Sequence, residues 1–167
     1  MTSVFAIEPL GKHDRSAFTC GVPALDRYLK EQASQDVKRP IASCFVALDT
    51  TTTTVAGYYT LAATSVQISD LPPHVVKRLP RYSLLPAALV GRLAVHQRFH
   101  GRGLGSVLLT DAALRVINGG VKAFALVVDA KDDRAVAFYQ HLGFLPFTSR
   151  ERSLFLPLGT FKTGATP

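Results

Sequence analysis

The residues best equipped for chemistry lie in one run, Leu89-Val-Gly-Arg-Leu-Ala-Val-His-Gln-Arg-Phe-His-Gly-Arg-Gly-Leu-Gly-Ser-Val-Leu-Leu109. Gly101, Gly103 and Gly105 stand between a strand-like segment and a helix-like one. Glycine allows a tight turn and lets a ligand come close to the backbone. The amides at the helix start then point at one place, and the helix dipole favours an anion there. Arg98 and Arg102 add positive charge beside them. The chemistry implied is a pyrophosphate cradle; the alternative is a glycine turn made for tight packing. No Gly-Lys-Ser/Thr follows, so the run is not a Walker A loop, and the third glycine comes one residue too early for G-x-G-x-x-G. His96 and His100 have the i, i+4 spacing of a helical metal pair. They straddle a strand end and a turn with no third ligand nearby, so no metal is expected.

The elements that must position this run are legible from periodicity. Val22, Leu25, Leu29, Ala33 and Val37 predict one face of a helix, with Pro23 near its start and Pro40 beyond its end. Ile41–Leu48 and Val55–Thr64 read as strands joined through Thr50–Thr54 as a hairpin. Four prolines make Leu71–Pro86 a loop with at most a short helix. Ala88–Val95 is a strand interrupted by Gly91-Arg92. The helix after the glycine turn runs from about Leu104 to Ile117, with Leu104, Val107, Leu108 and Ala112 on its apolar side and Asn118-Gly119-Gly120 ending it. Lys122–Val128 is a buried-type strand. Asp132–Leu142 is a helix, acidic at its first turn and stopped by Gly143, and Phe144–Phe147 and Leu154–Leu158 are closing strands. This order predicts a mixed α/β layer architecture, and 167 residues are the length of one domain, spanning 1–167.

Two ordered motifs carry a family resemblance. Gly103 and Gly105 fill the glycine positions of Gln/Arg-x-x-Gly-x-Gly/Ala, with His100 in place of Gln/Arg. Downstream, Val127-Val-Asp-Ala-Lys-Asp-Asp-Arg-Ala-Val-Ala-Phe-Tyr-Gln-His-Leu-Gly-Phe144 matches Asn-x-x-Ala-x-x-Phe-Tyr-x-x-x-Gly-Phe at Ala135, Phe138, Tyr139, Gly143 and Phe144, with Asp132 in place of Asn. The chain thus resembles the GNAT superfamily of acetyl-CoA-dependent N-acetyltransferases. The resemblance implies a single-domain fold with a central twisted mixed sheet flanked by helices. It implies acetyl-CoA as acetyl donor, held by Leu93, Ala94, Val95, Arg98, His100, Gly101, Arg102, Gly103, Leu104, Gly105, Ser106, Asp132, Ala135 and Phe138. It also implies that the Tyr139 hydroxyl reaches the coenzyme A sulfur. A phenol of pKa about 10 is protonated at neutral pH and can serve a thiolate of pKa about 8.5. The alternative is a packing role, because Ala135, Phe138, Tyr139 and Leu142 share an apolar face and a buried hydroxyl can be satisfied by a backbone carbonyl. Acyl transfer by direct amine attack needs no protein nucleophile, and the family places an oxyanion donor at a backbone N–H near Ala94–Val95. Cys20 and Cys44 then read as buried small hydrophobes.

The acceptor is suggested by charge and by a closer resemblance. Net charge is +7, and hydrophobic residues make up 47%, which excludes a disordered tail. No apolar run reaches the roughly 20 residues of a spanning helix, and Met1–Leu10 lacks the basic start and apolar stretch of a signal peptide. Two cysteines are too few for a disulfide framework, so thiols in a cytoplasmic protein are expected. No acidic residue lies between Asp70 and Asp111, while Lys77, Arg78, Arg81, Arg92, Arg98 and Arg102 do. That stretch suits a phosphate-rich partner. Phe18–Leu29, Val55–Leu61, Gly91–Val95, Val128–Lys131 and Leu154–Leu158 resemble GNAT toxins of bacterial toxin–antitoxin modules, of the TacT and AtaT type. That implies acetylation of the free α-amino group of aminoacyl-tRNA, a ribbon-helix-helix antitoxin, a homodimer, and operator DNA reached only through the antitoxin. Lys38, Arg39, Arg78, Arg81 and Arg92 are the expected tRNA contacts, with Arg98 and Arg102 spent on coenzyme A. Two alternatives remain: a GNAT enzyme for a small amine or protein N-terminus, and a non-catalytic acetyl-CoA- or nucleic-acid-binding module.

Overall fold

The computed structural model describes residues 5–160. Its strands are β1 (Phe5–Pro9), β2 (Ser43–Asp49), β3 (Val55–Gln67), β4 (Leu84–Val95), β5 (Ala125–Asp129), β6 (Leu145–Pro146) and β7 (Ser153–Pro157). Its helices are α1 (Pro23–Arg27), α2 (Ala33–Lys38), α3 (Pro73–Val76), α4 (Leu104–Asn118) and α5 (Asp133–His141). The seven strands form one mixed sheet in the order β1-β2-β3-β4-β5-β7-β6, and a mixed sheet was expected. Backbone packing divides the chain into two compact units. One comprises residues up to Ala62 with Gly91–Ala112; the other comprises Ala63–Val90 with residues from Ala113 onward. No helix among the described residues is long and apolar enough to cross a membrane.

In the first unit β1, β2 and β3 form an antiparallel meander, pairing Phe5 with Asp49 and Ser43 with Leu61 at its ends. The predicted helix after Val22 is present, but a π-helical turn, Tyr28–Gln32, joins α1 to α2. It buries Tyr28 and Leu29 against Phe18, Val46 and Tyr58, which form the core of this unit. Val37 falls outside that face and is exposed, because the wider turn rotates the end of the helix away from the stripe drawn at ordinary helical spacing. Ile41 is likewise exposed and precedes β2. β1 was not anticipated: its five residues end in proline and bury only alternate side chains partially. It exists because β2 offers a sheet edge.

In the second unit β4 runs parallel to β5, from Ala87 opposite Ala125 to Val90 opposite Val128. The strand begins at Leu84, four residues earlier than expected. Pro86 is tolerated within it, and its carbonyl accepts the Phe124 N–H at 2.7 Å. The proline-rich loop before it holds a 3-10 turn at Ile68–Asp70 and the one-turn α3. β7 pairs antiparallel with β5 on one side and β6 on the other. Val66, Leu71, Leu85, Val127, Phe147 and Phe155 pack as the core of this unit.

Candidate active site

The structure gathers the predicted cofactor residues into two sets, one in each unit. The first begins where β4 ends. His96 is buried, donates its backbone N–H to the Ala56 carbonyl at 2.8 Å, and packs its ring edge-on to Phe18 and Phe99. Its Nδ1 accepts the Arg98 N–H, which starts a 3-10 turn, Gln97–Phe99. His96 therefore shapes the chain reversal. Phe99 is the buried anchor of the turn. Arg98 and Arg102 lie near its ring, 5.7 and 5.3 Å from the centroid, so one guanidinium from before the glycine turn and one from between Gly101 and Gly103 share one ring in space. Neither has a carboxylate partner among the described residues. His100 is exposed, and its Nε2 lies 2.8 Å from the Val95 carbonyl. A carbonyl only accepts, so Nε2 carries the hydrogen there.

Gly101 and Gly103 then take φ values of +79° and +75°, a left-handed conformation costly to other residues. A Cβ built on either would meet nothing within 4 Å. The tight-packing alternative fails on this observation: these glycines serve the direction of the chain and leave open space outside it. Val107 N–H bonds the Gly103 carbonyl at 3.2 Å, so α4 begins directly after that turn. Amides at the first turn of a helix have no intrahelical acceptor, so those of Leu104, Gly105 and Ser106 suit an anion. α4 is held by Leu104, Leu108, Leu109, Ala112 and Ala113, all buried; Val107, predicted on the apolar side, is half exposed. Gly57 on β3 explains how close α4 comes. A Cβ there would stand 2.9 Å from the Ala94 carbonyl oxygen and 3.2 Å from Leu108 Cδ1.

The second set follows β5. Asp132 caps α5, its Oδ1 accepting the Ala135 N–H at 2.8 Å. That bond gives Asp132 a helix-capping role which the sequence pattern did not assign to it. Asp132→Ala is expected to cost about 1 kcal/mol of stability, while Asp132→Asn keeps an accepting oxygen and most of it. Urea midpoints measure both, and an unshifted Asp132→Ala would remove the capping role. Ala135 is half-buried, Phe138 is exposed at its edge, and Tyr139 is buried, 5.3 Å from the Phe138 ring and 5.5 Å from Phe144. Gly143, at φ +99°, turns the chain so that Phe144 N–H reaches the Tyr139 carbonyl. Among the described residues the Tyr139 hydroxyl has no hydrogen-bond partner. Burial, with a smaller effect from the Asp129 carboxylate, pushes its phenol up to about 12. A buried hydroxyl left without a protein partner is unusual and points to a role toward a ligand.

The five predicted RNA contacts also fall into two sets. Lys38, Arg39 and Arg92 belong to the first unit. The Arg92 guanidinium lies 3.6 Å above the Tyr28 ring, and its backbone N–H bonds the buried Thr60 hydroxyl. The Tyr28 hydroxyl donates to Asp36 at 2.8 Å, as does Gln32 at 3.0 Å. These hydrogen bonds hold the Asp36 carboxyl below its usual range, and Arg92 and Arg39 act on it in the same direction. Tyr28, Asp36 and Thr60 were missed by sequence reasoning, since no local spacing links them to Arg92. Arg78 and Arg81 belong to the second unit, on the segment after α3. Cys20 and Cys44 are both buried thiols, and burial pushes the Cys44 thiol up to about 12, so it is no nucleophile at neutral pH.

The glycine turn feeding a helix after β4, and the capped helix carrying a buried tyrosine after β5, are the two segments on which the sequence resembles the GNAT superfamily. The chain belongs to the acetyltransferase (GNAT) family, whose model matches residues 8–144. It is 33% identical to the probable toxin TacT of Sinorhizobium fredii over 94% of this chain and 93% of that one. It is 38% identical to the tRNA-acetylating toxin of Mycobacterium tuberculosis, covering 78% of each. Among solved structures it is similar to AtaT complexed with acetyl-methionyl-tRNAfMet, with TM-score 0.86, 29% identity, and 93% of this chain and 95% of that one covered. It is also similar to a Tyr-to-Phe mutant of AtaT bound to the C-terminus of the antitoxin AtaR and acetyl-CoA, with TM-score 0.79, 26% identity, and 94% and 95% covered.

Proposed function

We propose that this chain is the toxin of a toxin–antitoxin pair, transferring acetyl from acetyl-CoA to the α-amino group of an aminoacyl-tRNA and so blocking translation. The similarity to AtaT, solved with acetyl-methionyl-tRNAfMet, carries the choice of acceptor, because it extends over 93% of the chain. The family fixes the reaction as acetyl transfer. In this reading the amides of Leu104, Gly105 and Ser106, with Arg98 and Arg102, hold the pyrophosphate. The acceptor amine forms the new C–N bond while the thioester C–S bond breaks; the amine loses its proton to solvent, and the Tyr139 hydroxyl donates to the departing sulfur. A backbone N–H at Ala94–Val95 serves the oxyanion. Lys38, Arg39 and Arg92 meet tRNA phosphates, and the Tyr28 ring fixes the plane of the Arg92 guanidinium for that contact.

The same reading extends to partners. A ribbon-helix-helix antitoxin holds the toxin inactive, the toxin forms a homodimer, operator DNA is reached through the antitoxin, and the protein works in the cytoplasm beside its tRNA substrate. Incubation with labelled acetyl-CoA and total charged tRNA is expected to label aminoacyl adenosines in the RNA fraction. Label confined to small amines or protein N-termini would overturn the tRNA reading while keeping the acetyltransferase.

A further inference from the structure

The second unit contains a groove of about 810 Å³ between the end of β3, α3 and the start of β4. Its volume lies within the range of about 300–1,000 Å³ typical of ligand sites. Ile68, Val76 and Leu79 give it an apolar floor and pack on the core of the unit. Ile68 N–H bonds the Ser83 carbonyl at 3.0 Å, which ties its two walls together. Lys77, Arg81 and Tyr82 also line it. Tyr82 is 64% exposed, a large aromatic surface turned to water rather than into the core. Among the described residues neither Lys77 nor Arg81 has a carboxylate partner. No acidic residue lines the groove, and Asp70 beside it accepts the Ser149 hydroxyl.

An exposed aromatic ring flanked by unneutralised cations suits an unpaired base with its phosphates, since every base has a face to stack and every linkage a charge. We propose that this groove is a stacking site for single-stranded RNA, with the Tyr82 ring against a base and Lys77 and Arg81 on the adjoining phosphates. It rests on the tRNA reading above and gives an unpaired stretch of that substrate a place to dock. A duplex does not satisfy the site, because its bases offer no open face.

The test is direct binding to the full chain of a short, labelled single-stranded RNA, read by fluorescence anisotropy at several salt concentrations. Tyr82→Ala is expected to weaken binding about tenfold, as loss of one stacked base does, while Tyr82→Phe keeps the ring and the affinity. Lys77→Ala and Arg81→Ala are each expected to reduce the salt slope by about 0.7. Unchanged thermal midpoints keep these changes apart from unfolding. Wild-type affinity in Tyr82→Ala, or a groove that takes an acidic peptide or a second copy of the chain but no RNA, would overturn the proposal. No acetyl transfer occurs in this assay. RNA binding lost with Tyr82, in a protein that never labels tRNA, would sink the tRNA reading and leave the groove standing; tRNA labelling with RNA binding indifferent to Tyr82 would do the reverse.

Discussion

Tyr139→Phe is expected to reduce acetyl transfer by about 10²–10⁴-fold, the usual contribution of a positioned proton donor. Stability separates this role from packing. The hydroxyl is bonded to no described residue, so deleting it removes no hydrogen bond from the fold. The ring contacts with Phe138 and Phe144 remain available to phenylalanine. The thermal midpoint should therefore hold or rise while turnover collapses. The pH profile carries a second signature. Burial first, and Asp129 second, push the phenol up to about 12, so the hydroxyl keeps its proton throughout the working range. An α-amine acceptor, as in the proposed function, has pKa about 8 and must instead lose its proton to react. Activity is expected to rise with pH as that amine deprotonates and then to level, with no alkaline fall near the ordinary tyrosine value. Tyr139→Phe should keep the rising limb at a lower rate. Unchanged turnover in Tyr139→Phe would remove this residue from the reaction, and a wild-type alkaline limb near pH 10 would show an unperturbed phenol.

Gly57→Ala carries the largest expected cost to the fold. The added methyl would meet the Ala94 carbonyl oxygen at 2.9 Å, and that oxygen belongs to backbone that cannot swing aside. On the other side stand Leu108 Cδ1 at 3.2 Å and Leu104 Cδ2 at 3.4 Å, both from buried residues of α4. Overpacking of this kind costs about 1–3 kcal/mol. For a chain of this size each kcal/mol lowers the midpoint by about 2–4 °C. The strain also falls on the start of α4 and the end of β4, so acetyl-CoA affinity is expected to fall with stability. Urea denaturation and coenzyme A titration measure the two. A substitution neutral in both would show that the helix lifts freely from the sheet.

The features legible in the sequence are those made locally. The glycine turn, the helix after it, and the helix from Asp132 with its tyrosine all declare themselves within a dozen residues, and the structure has them in order. The hairpin through Thr50–Thr54 is local in the same sense: Asp49 and Thr54 close it with backbone bonds. What was hidden depends on distant partners. β1 has little intrinsic pattern and is a strand because β2 pairs with it. The π-helical turn displaced Val37 from the face that ordinary spacing assigns to it. The hold of Tyr28 on Arg92, and the contact that makes Gly57 irreplaceable, arise only once strands and helices are brought together. Asp132, a departure from the motif, turned out to satisfy the helix end that the motif requires.

The position of β7 has a consequence for when the sheet is completed. It is the last strand of the described chain to be synthesised, yet it sits inside the sheet, with β5 on one side and β6 on the other. Until Ser153–Pro157 leave the ribosome, β5 presents an open edge, and the strand that precedes the tyrosine helix lacks its neighbour. That side of the sheet is therefore completed only after β7 has emerged. The tyrosine helix α5 thus gains its finished support only once the strand two elements downstream of it has paired.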